Sequence, residues 1–239
     1  MPRRSGHSAG FRYFGDMIIT IDGHAGSGKS TAARLLAAEL GFELMNTGAM
    51  YRATAFILGR HGIDISTEPR NISAITTIVA TFHFDLSPSR IRLNGEDLTD
   101  SIYTEPMGRA ASQVGKFPEV RAKLKDEQRR IAANHDMICE GRDQGTAVFP
   151  DAPVKFFFTA AAQTRALRRA EQDGLDPRLD PTGFAKLVEL IVARDHQDEN
   201  RSIDPLRRAP DAVEVDTSIL SLDEVVHRMT QVVNRWRTR

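Results

Sequence analysis

The stretch "GHAGSGKST", Gly23 to Thr31, constrains this chain more than any other. Its pattern is Gly-x4-Gly-Lys-Ser, built from Gly23, His24, Ala25, Gly26, Ser27, Gly28, Lys29 and Ser30, with Thr31 next in the chain. Glycines at these points let the backbone bend until several N–H groups converge on one small space. A helix starting there adds roughly half a positive charge at its N-terminus, so the loop attracts phosphate. Lys29 would neutralise β- and γ-phosphates, and the Ser30 hydroxyl would face Mg2+. The flanks supply the required context. "MIITID", Met17 to Asp22, is a short apolar, β-branched run of the kind that forms a buried parallel strand, and "KSTAARLLAAEL" favours helix up to Gly41. Strand, glycine loop and helix in that order mark a nucleotide site rather than a merely flexible turn.

The rest of the chain keeps alternating. "FELMN" reads as a strand and "GAMYRATAFILGR" as a helix. "EVRAKLKDEQRRIAA" is a charged amphipathic helix, whereas "DMICEG", "VKFFFTA" and "DAVEVDT" have strand texture. Ser221 and Glu224 form a capping box that opens a C-terminal helix. Strands alternating with helices predict an α/β class, a mainly parallel central sheet flanked by helices. Residues 62–105 break the pattern. "TFHFDL" puts Phe82, Phe84 and Leu86 on one face and His83 on the other, and "RIRLNGEDL" holds Asn94-Gly95, a type I′ hairpin signal. These are antiparallel features, so 62–105 is expected to be an inserted subdomain with its own small sheet. Residues 163–200 read as helix, a Pro/Asp/Gly break, then helix, rich in arginine and suited to a lid.

Composition narrows the partners. The 239 residues are 41% hydrophobic and 27% charged, which is ordinary globular material. Basic and acidic residues number 32 each, so no global charge draws the chain to nucleic acid or a membrane. No apolar run approaches the roughly 20 residues that span a bilayer. Cys139, the single cysteine, lies in an apolar run and reads as core, and its lone presence fits a reducing, cytoplasmic setting. Residues 1–16 are basic without a hydrophobic segment. They are expected to be a disordered extension or a mis-assigned start, with a transit peptide as the alternative, because Met17 opens the first strand. No interface is announced, and a monomer is expected. The seven histidines, His24 included, show no metal-ligand spacing.

The loop does not name the acceptor. There is no obvious run of four apolar residues ending in an acidic pair, and no Asn-Lys-x-Asp guanine reader, so motor ATPases and GTPases are disfavoured. Arginines stand at separated points instead: Arg52, Arg109, Arg121, Arg142, Arg168, Arg169, Arg194 and Arg201. Two phosphorylated substrates meeting head to head need cations from both sides and a lid against water.

"NTGAMYR" (46–52), "ASQVGKFPEVR" (111–121), "EGRDQGTAVFPDAPVKFFFTA" (140–160) and "RDHQDENR" (194–201) closely resemble bacterial cytidylate kinases, in order, over nearly the whole chain from Met17. The resemblance implies a P-loop nucleoside monophosphate kinase: 17–239 as one kinase domain, the insertion binding CMP, and transfer of the ATP γ-phosphoryl to CMP or dCMP with Mg2+. It implies that Thr47 and Arg52 contact the CMP side. Ser112, Arg121 and Asp143 read cytosine, Arg194, Asp198 and Arg201 serve its sugar and phosphate, and Arg168 comes from the lid. The catalytic cations are then Lys29, Arg142 and Arg168. The chemistry agrees, because the N4 amine of cytosine needs an acceptor such as the Asp143 carboxylate, whereas N3 and O2 need donors.

The chain also departs from the family. Asn46 stands where most members have Asp, His24 where they have Pro, Gln144 where they have an apolar residue, and Gln197 where many have Arg. The alternatives to a CMP kinase are another nucleoside monophosphate kinase, or a P-loop module that binds without catalysis. Asn46 is the one feature that leans toward the latter.

Overall fold

A computed structural model describes residues 17–65, 72–87 and 90–238. The expected extension over 1–16 lies outside the described residues, as do parts of the expected insertion. Five strands form a parallel sheet in the order β2-β6-β1-β7-β8. They are β1 (Ile18–Gly23), β2 (Glu43–Asn46), β6 (Met137–Gly141), β7 (Val154–Thr159) and β8 (Val213–Asp216). β1 is central and buried on both faces: Ile19 and Ile21 on one, and Thr20 and Asp22 on the other, are all at most 4% exposed. Register places Asp22 of β1 opposite Gly141 of β6 and Phe157 of β7. All these strands therefore end at one edge.

The two faces bury different helices. On one side α1 (Lys29–Leu40) and α9 (Leu222–Arg237) cover Ile19, Phe156 and Phe158 through Ala32, Leu36, Met229 and Val233. On the other, α2 (Thr47–Arg60), α3 (Ile72–Ala80), α5 (Glu105–Val114) and α6 (Pro118–Ala132) enclose Met45, Met50, Leu58, Ile75, Val114 and Leu124. Each fully buried large apolar side chain is worth about 1.5–3 kcal/mol. The Cys139 thiol sits in this second core, and burial pushes its pKa up, so it is a packing residue rather than a nucleophile.

A second sheet, antiparallel, contains β3 (Phe84–Ser87), β4 (Arg90–Leu93) and β5 (Glu96–Asp97). Phe82 and Phe84 point into the core and meet edge to face, while His83 and Asp85 face solvent. Asn94 and Gly95 carry φ of 52° and 84°, the left-handed pair a type I′ turn needs. This sheet has three strands where the alternation suggested two, because β5 is only two residues long. Three helices went unread in the sequence: α3, the short α4 (Thr99–Ile102) and α5. The lone Gly108 and the small residues of "GRAAS" obscured the period of α5.

Past β7, α7 (Ala162–Asp173) and α8 (Pro181–Glu199) form a helical pair, joined at Gly174 by the expected Pro/Asp-rich break. No helix among the described residues is long and apolar enough to cross a membrane. The capping box of α9 is present: Ser221 Oγ accepts from the Glu224 N–H, and the Glu224 carboxylate accepts from the Ser221 N–H at 2.8 Å. Ser221→Ala removes the cap and is expected to cost about 1 kcal/mol. A melting curve should show Tm lower by roughly 2–4 °C for a chain of this size.

Candidate active site

The glycine loop grows directly out of β1. Gly23 has φ 142°, and a Cβ there would overlap the carbonyl oxygen of Phe158 on β7, so the loop leaves the sheet only with glycine at this position. Lys29 folds back over the loop, and its Nζ donates to the His24 carbonyl at 2.5 Å. Burial pushes this amine down to about 7, Arg142 pushes in the same direction, and Glu140 opposes both. A bound polyphosphate reverses that balance by adding negative charge beside the amine. Ser30 Oγ donates to Glu140 Oε1 at 2.8 Å. Glu140 is therefore a carboxylate on the strand beside β1, in contact with the loop serine. The sequence reading missed it because "MIC" precedes it in place of a longer apolar run. A hydroxyl and a carboxylate at this spacing suit Mg2+, which takes one or two protein oxygens and completes its shell with phosphate and water.

A second cluster lies at the same edge of the sheet. Thr47 Oγ1 donates to the Glu140 carbonyl at 2.9 Å. Arg121 is 1% exposed, pairs with Asp143 at hydrogen-bonding distance, donates to Asp204 at 3.0 Å and lies over the Tyr51 ring. Burial pushes the Asp143 carboxyl up, against the pull of Arg121 and Arg201. Arg142 donates to Asp198 at 2.9 Å and to the Gly141 carbonyl at 3.1 Å. Burial tends to raise the Asp198 carboxyl, but Arg142, Arg201 and Arg194 together hold it below its ordinary value. The Nε groups of Arg194 and Arg201 are buried without a hydrogen-bond partner. Buried donors in that condition favour an anion. Ser112 on α5 is reached from α8, where Gln197 Nε2 donates to its carbonyl at 3.3 Å.

The remaining arginines divide. Arg52 donates to the Ile102 carbonyl and lies over Tyr103, and burial lowers its pKa with help from Arg169 and Arg142. Arg168 turns to Thr217, whose hydroxyl in turn donates to the Ser27 carbonyl at 2.9 Å. Arg165, absent from the sequence reading, is 3% exposed, binds Asp195 of α8 with both terminal nitrogens and donates to the Ala25 carbonyl. It ties α7 and α8 to the glycine loop. Its partner lies 30 residues away, so nothing local in the sequence flagged it. His24 stands where the family has Pro. Its ring meets Glu199 of α8 at 2.7 Å and packs edge-on to Phe157. Asn46 caps α2 by accepting the Ala49 N–H at 3.1 Å. A cap uses the side-chain oxygen, which Asn retains.

The sequence model of the cytidylate kinase family matches residues 19–235. The chain belongs to that family. It is 41% identical over 225 residues to the cytidylate kinase of Azotobacter vinelandii, covering 92% of this chain and 96% of that one. Identity to the Stutzerimonas stutzeri cytidylate kinase is 40% over 225 residues, covering 91% and 96%. Among solved structures, an uncharacterized protein from Eubacterium ventriosum shares the fold with a TM-score of 0.52 at 12% identity, covering 94% of this chain and all of that one.

One carboxylate between these clusters titrates unusually. Burial pushes Asp22 from its ordinary 3.8 up to about 7, with Asp143 acting in the same direction, while the Gln144 and Gly145 N–H groups and Lys29 pull it down. Its field also reaches Arg142 and Cys139. Between the two pKa values the folded chain holds a proton that the unfolded chain releases. This contribution to stability is complete below the unfolded value and disappears as pH rises through about 7. Asp22→Asn lacks the titration. In melts from acid to neutral pH, the Tm of Asp22→Asn relative to the parent should rise by several degrees.

Proposed function

We propose that the chain binds ATP on the glycine loop and CMP or dCMP in the second cluster, and passes the γ-phosphoryl between them to give ADP and CDP or dCDP. The observation that carries this reading is the buried Arg121–Asp143 pair, Asp143 following β6, the strand paired with the β1 that leads to Lys29. A buried ion pair is weak as a device for stability. As a base reader it has a clear use. The Asp143 carboxylate accepts from the cytosine N4 amine, while Arg121 and Ser112 donate to N3 and O2. Uracil presents O4 to the carboxylate and N3–H to a donor, and a mismatched buried polar group costs about 1–3 kcal/mol. UMP should therefore be a poor acceptor.

Arg52, Arg142 and Arg201 converge on the acceptor phosphate, with Arg194 and Asp198 toward the sugar and phosphate. Lys29 and the loop N–H groups of residues 23–31 hold the donor phosphates. Arg168 would join the transferring group after α7 shifts from its contact with Thr217. No general base is required, because the attacking phosphate oxygen is ionised near neutral pH. Catalysis here is alignment of two anions plus charge stabilisation. Ser30 and Glu140, the latter directly or through water, would hold Mg2+, which when bound neutralises charge on the β- and γ-oxygens. One chain supplies every residue in this account, so a monomer suffices.

The test is phosphoryl transfer from Mg-ATP to CMP, dCMP, UMP, AMP and GMP offered separately. CMP and dCMP should react faster than the rest by a factor of ~100 or more, as expected for a site built to hydrogen-bond its substrate. Equal use of all acceptors, or ATP binding with no transfer, would refute the reading. Asn46 lies with Ser30 on the wall of one cavity, opposite Glu140 in the strand register. Asn46→Asp should keep the α2 cap, leave Tm unchanged and lower the Mg2+ concentration for half-maximal rate several-fold. An unchanged Mg2+ requirement would mean that the charge at this position is irrelevant to the metal.

A further inference from the structure

Residues 144–148 form a single π-helical turn, with Asp143 as the residue before it. The first N–H groups of any helix lack intrahelical acceptors, and the residue before the helix ordinarily supplies one from its side chain. An aspartate at that place is among the best residues for the task. Asp143 does not perform it. Its side chain makes no cap bond and turns to Arg121. The two leading N–H groups are taken by a carboxylate from another strand. Gln144 N–H donates to Asp22 Oδ1 at 2.8 Å, and Gly145 N–H donates to Asp22 Oδ2 at 2.7 Å.

Asp22 is 4% exposed, and each of its oxygens accepts one of these bonds. Its place is dictated by the fold. It is the residue before Gly23, and register sets it beside Gly141, three residues before Gln144. Gly145 allows the approach, because a Cβ there would crowd Thr20 Oγ1 at 2.9 Å and Asp22 Oδ2 at 3.4 Å.

We propose that Asp22 is a positioning residue that sets base specificity: by capping the π-turn from β1, it frees the Asp143 carboxylate to read the pyrimidine. The proposal rests on the reading of Asp143 as the cytosine acceptor. Without Asp22, the Gln144 and Gly145 N–H groups are left buried and unpaired, and Asp143 is the nearest sequence-local side chain that can cap them. Once it does so, Arg121 loses its buried partner and the carboxylate leaves the base edge. Asp22 has a structural part in any account, as a buried residue with two hydrogen bonds. A structural part alone would lower the use of all acceptors together.

The experiment compares kcat/KM for CMP and UMP, and KM for ATP, in the parent, Asp22→Ala, Asp22→Asn, Asp143→Ala and the double variant Asp22→Ala/Asp143→Ala. Asp22→Ala should reduce the CMP-to-UMP ratio by ~10-fold or more, chiefly through CMP, with ATP KM within about twofold of the parent. Asp22→Asn, nearly isosteric and keeping one acceptor, should fall between. The double variant should discriminate no worse than Asp143→Ala, because both changes act through one carboxylate. An unchanged ratio in the Asp22 variants while Asp143→Ala collapses it would overturn the proposal. An unchanged ratio in Asp143→Ala would instead remove the base-reader reading beneath it. If Asp22→Ala does not fold, Asp22→Asn carries the kinetic test. Amide exchange on the parent decides independently: slow exchange at Gln144 and Gly145 is expected, and fast exchange at either overturns the cap.

Discussion

The parallel pairing of β1 with β6, Asp22 opposite Gly141, is the constraint on which the rest of the molecule depends. Parallel strands end together, so the segments that leave them lie side by side. The glycine loop leaves β1 at Gly23, and the segment "GRDQG" leaves β6 at Gly141. In the proposed reading, one emerges toward the donor and the other toward the acceptor. A shift of the pairing by one residue would turn Asp22 to the opposite face of the sheet and remove Glu140 from Ser30. The spacing between the glycine loop and the segment after Gly141 is thus set by backbone hydrogen bonds in a buried sheet. In-line transfer between two phosphates depends on such placement.

The same edge concentrates charge. Arg121 faces Asp143 and Asp204, Arg142 faces Asp198, Arg165 faces Asp195, and Lys29 senses Glu140 and Asp22. Each of these buried cations has a carboxylate within reach, which offsets part of the cost of removing it from water. Three of these carboxylates, Asp195, Asp198 and Asp204, come from α8 or the segment just after it. The segment around 195–204 therefore serves as counter-charge to the arginines, and the His24–Glu199 contact brings it onto the glycine loop itself.

The parallel core was legible because local chemistry writes it: apolar strands, a glycine loop with a fixed spacing, and a capping box at Ser221. The Asn94-Gly95 hairpin was legible for the same reason. Helices α3 and α5 were not, because the first falls in a region dominated by hairpin signals and the second presents small residues on its surface. The site divided likewise. Lys29 and Ser30 are read directly from the loop pattern, while Ser112, Arg121 and Asp143 came through the family resemblance. Glu140, Arg165 and Asp22 were invisible as site residues because their partners lie 110, 30 and 122 residues away. A carboxylate at the end of an apolar strand looks the same in sequence whether it meets solvent, a serine hydroxyl or two amide groups.

The arginines at this edge are arranged so that an anion would complete their hydrogen bonding. Arg194 and Arg201 keep buried Nε groups with no acceptor, and burial depresses the pKa of both side chains, in Arg194 to about 10. Repulsion among Arg52, Arg142 and Arg194 adds to that cost. A phosphate placed among them supplies acceptors for the orphaned donors and negative charge for the crowded cations at once. The gain is largest when the cations are already in place, since little reorganisation is then charged against binding or transfer. Strain of this kind is tolerable only on a rigid base. The β1–β6 register, with Asp22 bridging the segments that leave both strands, supplies it.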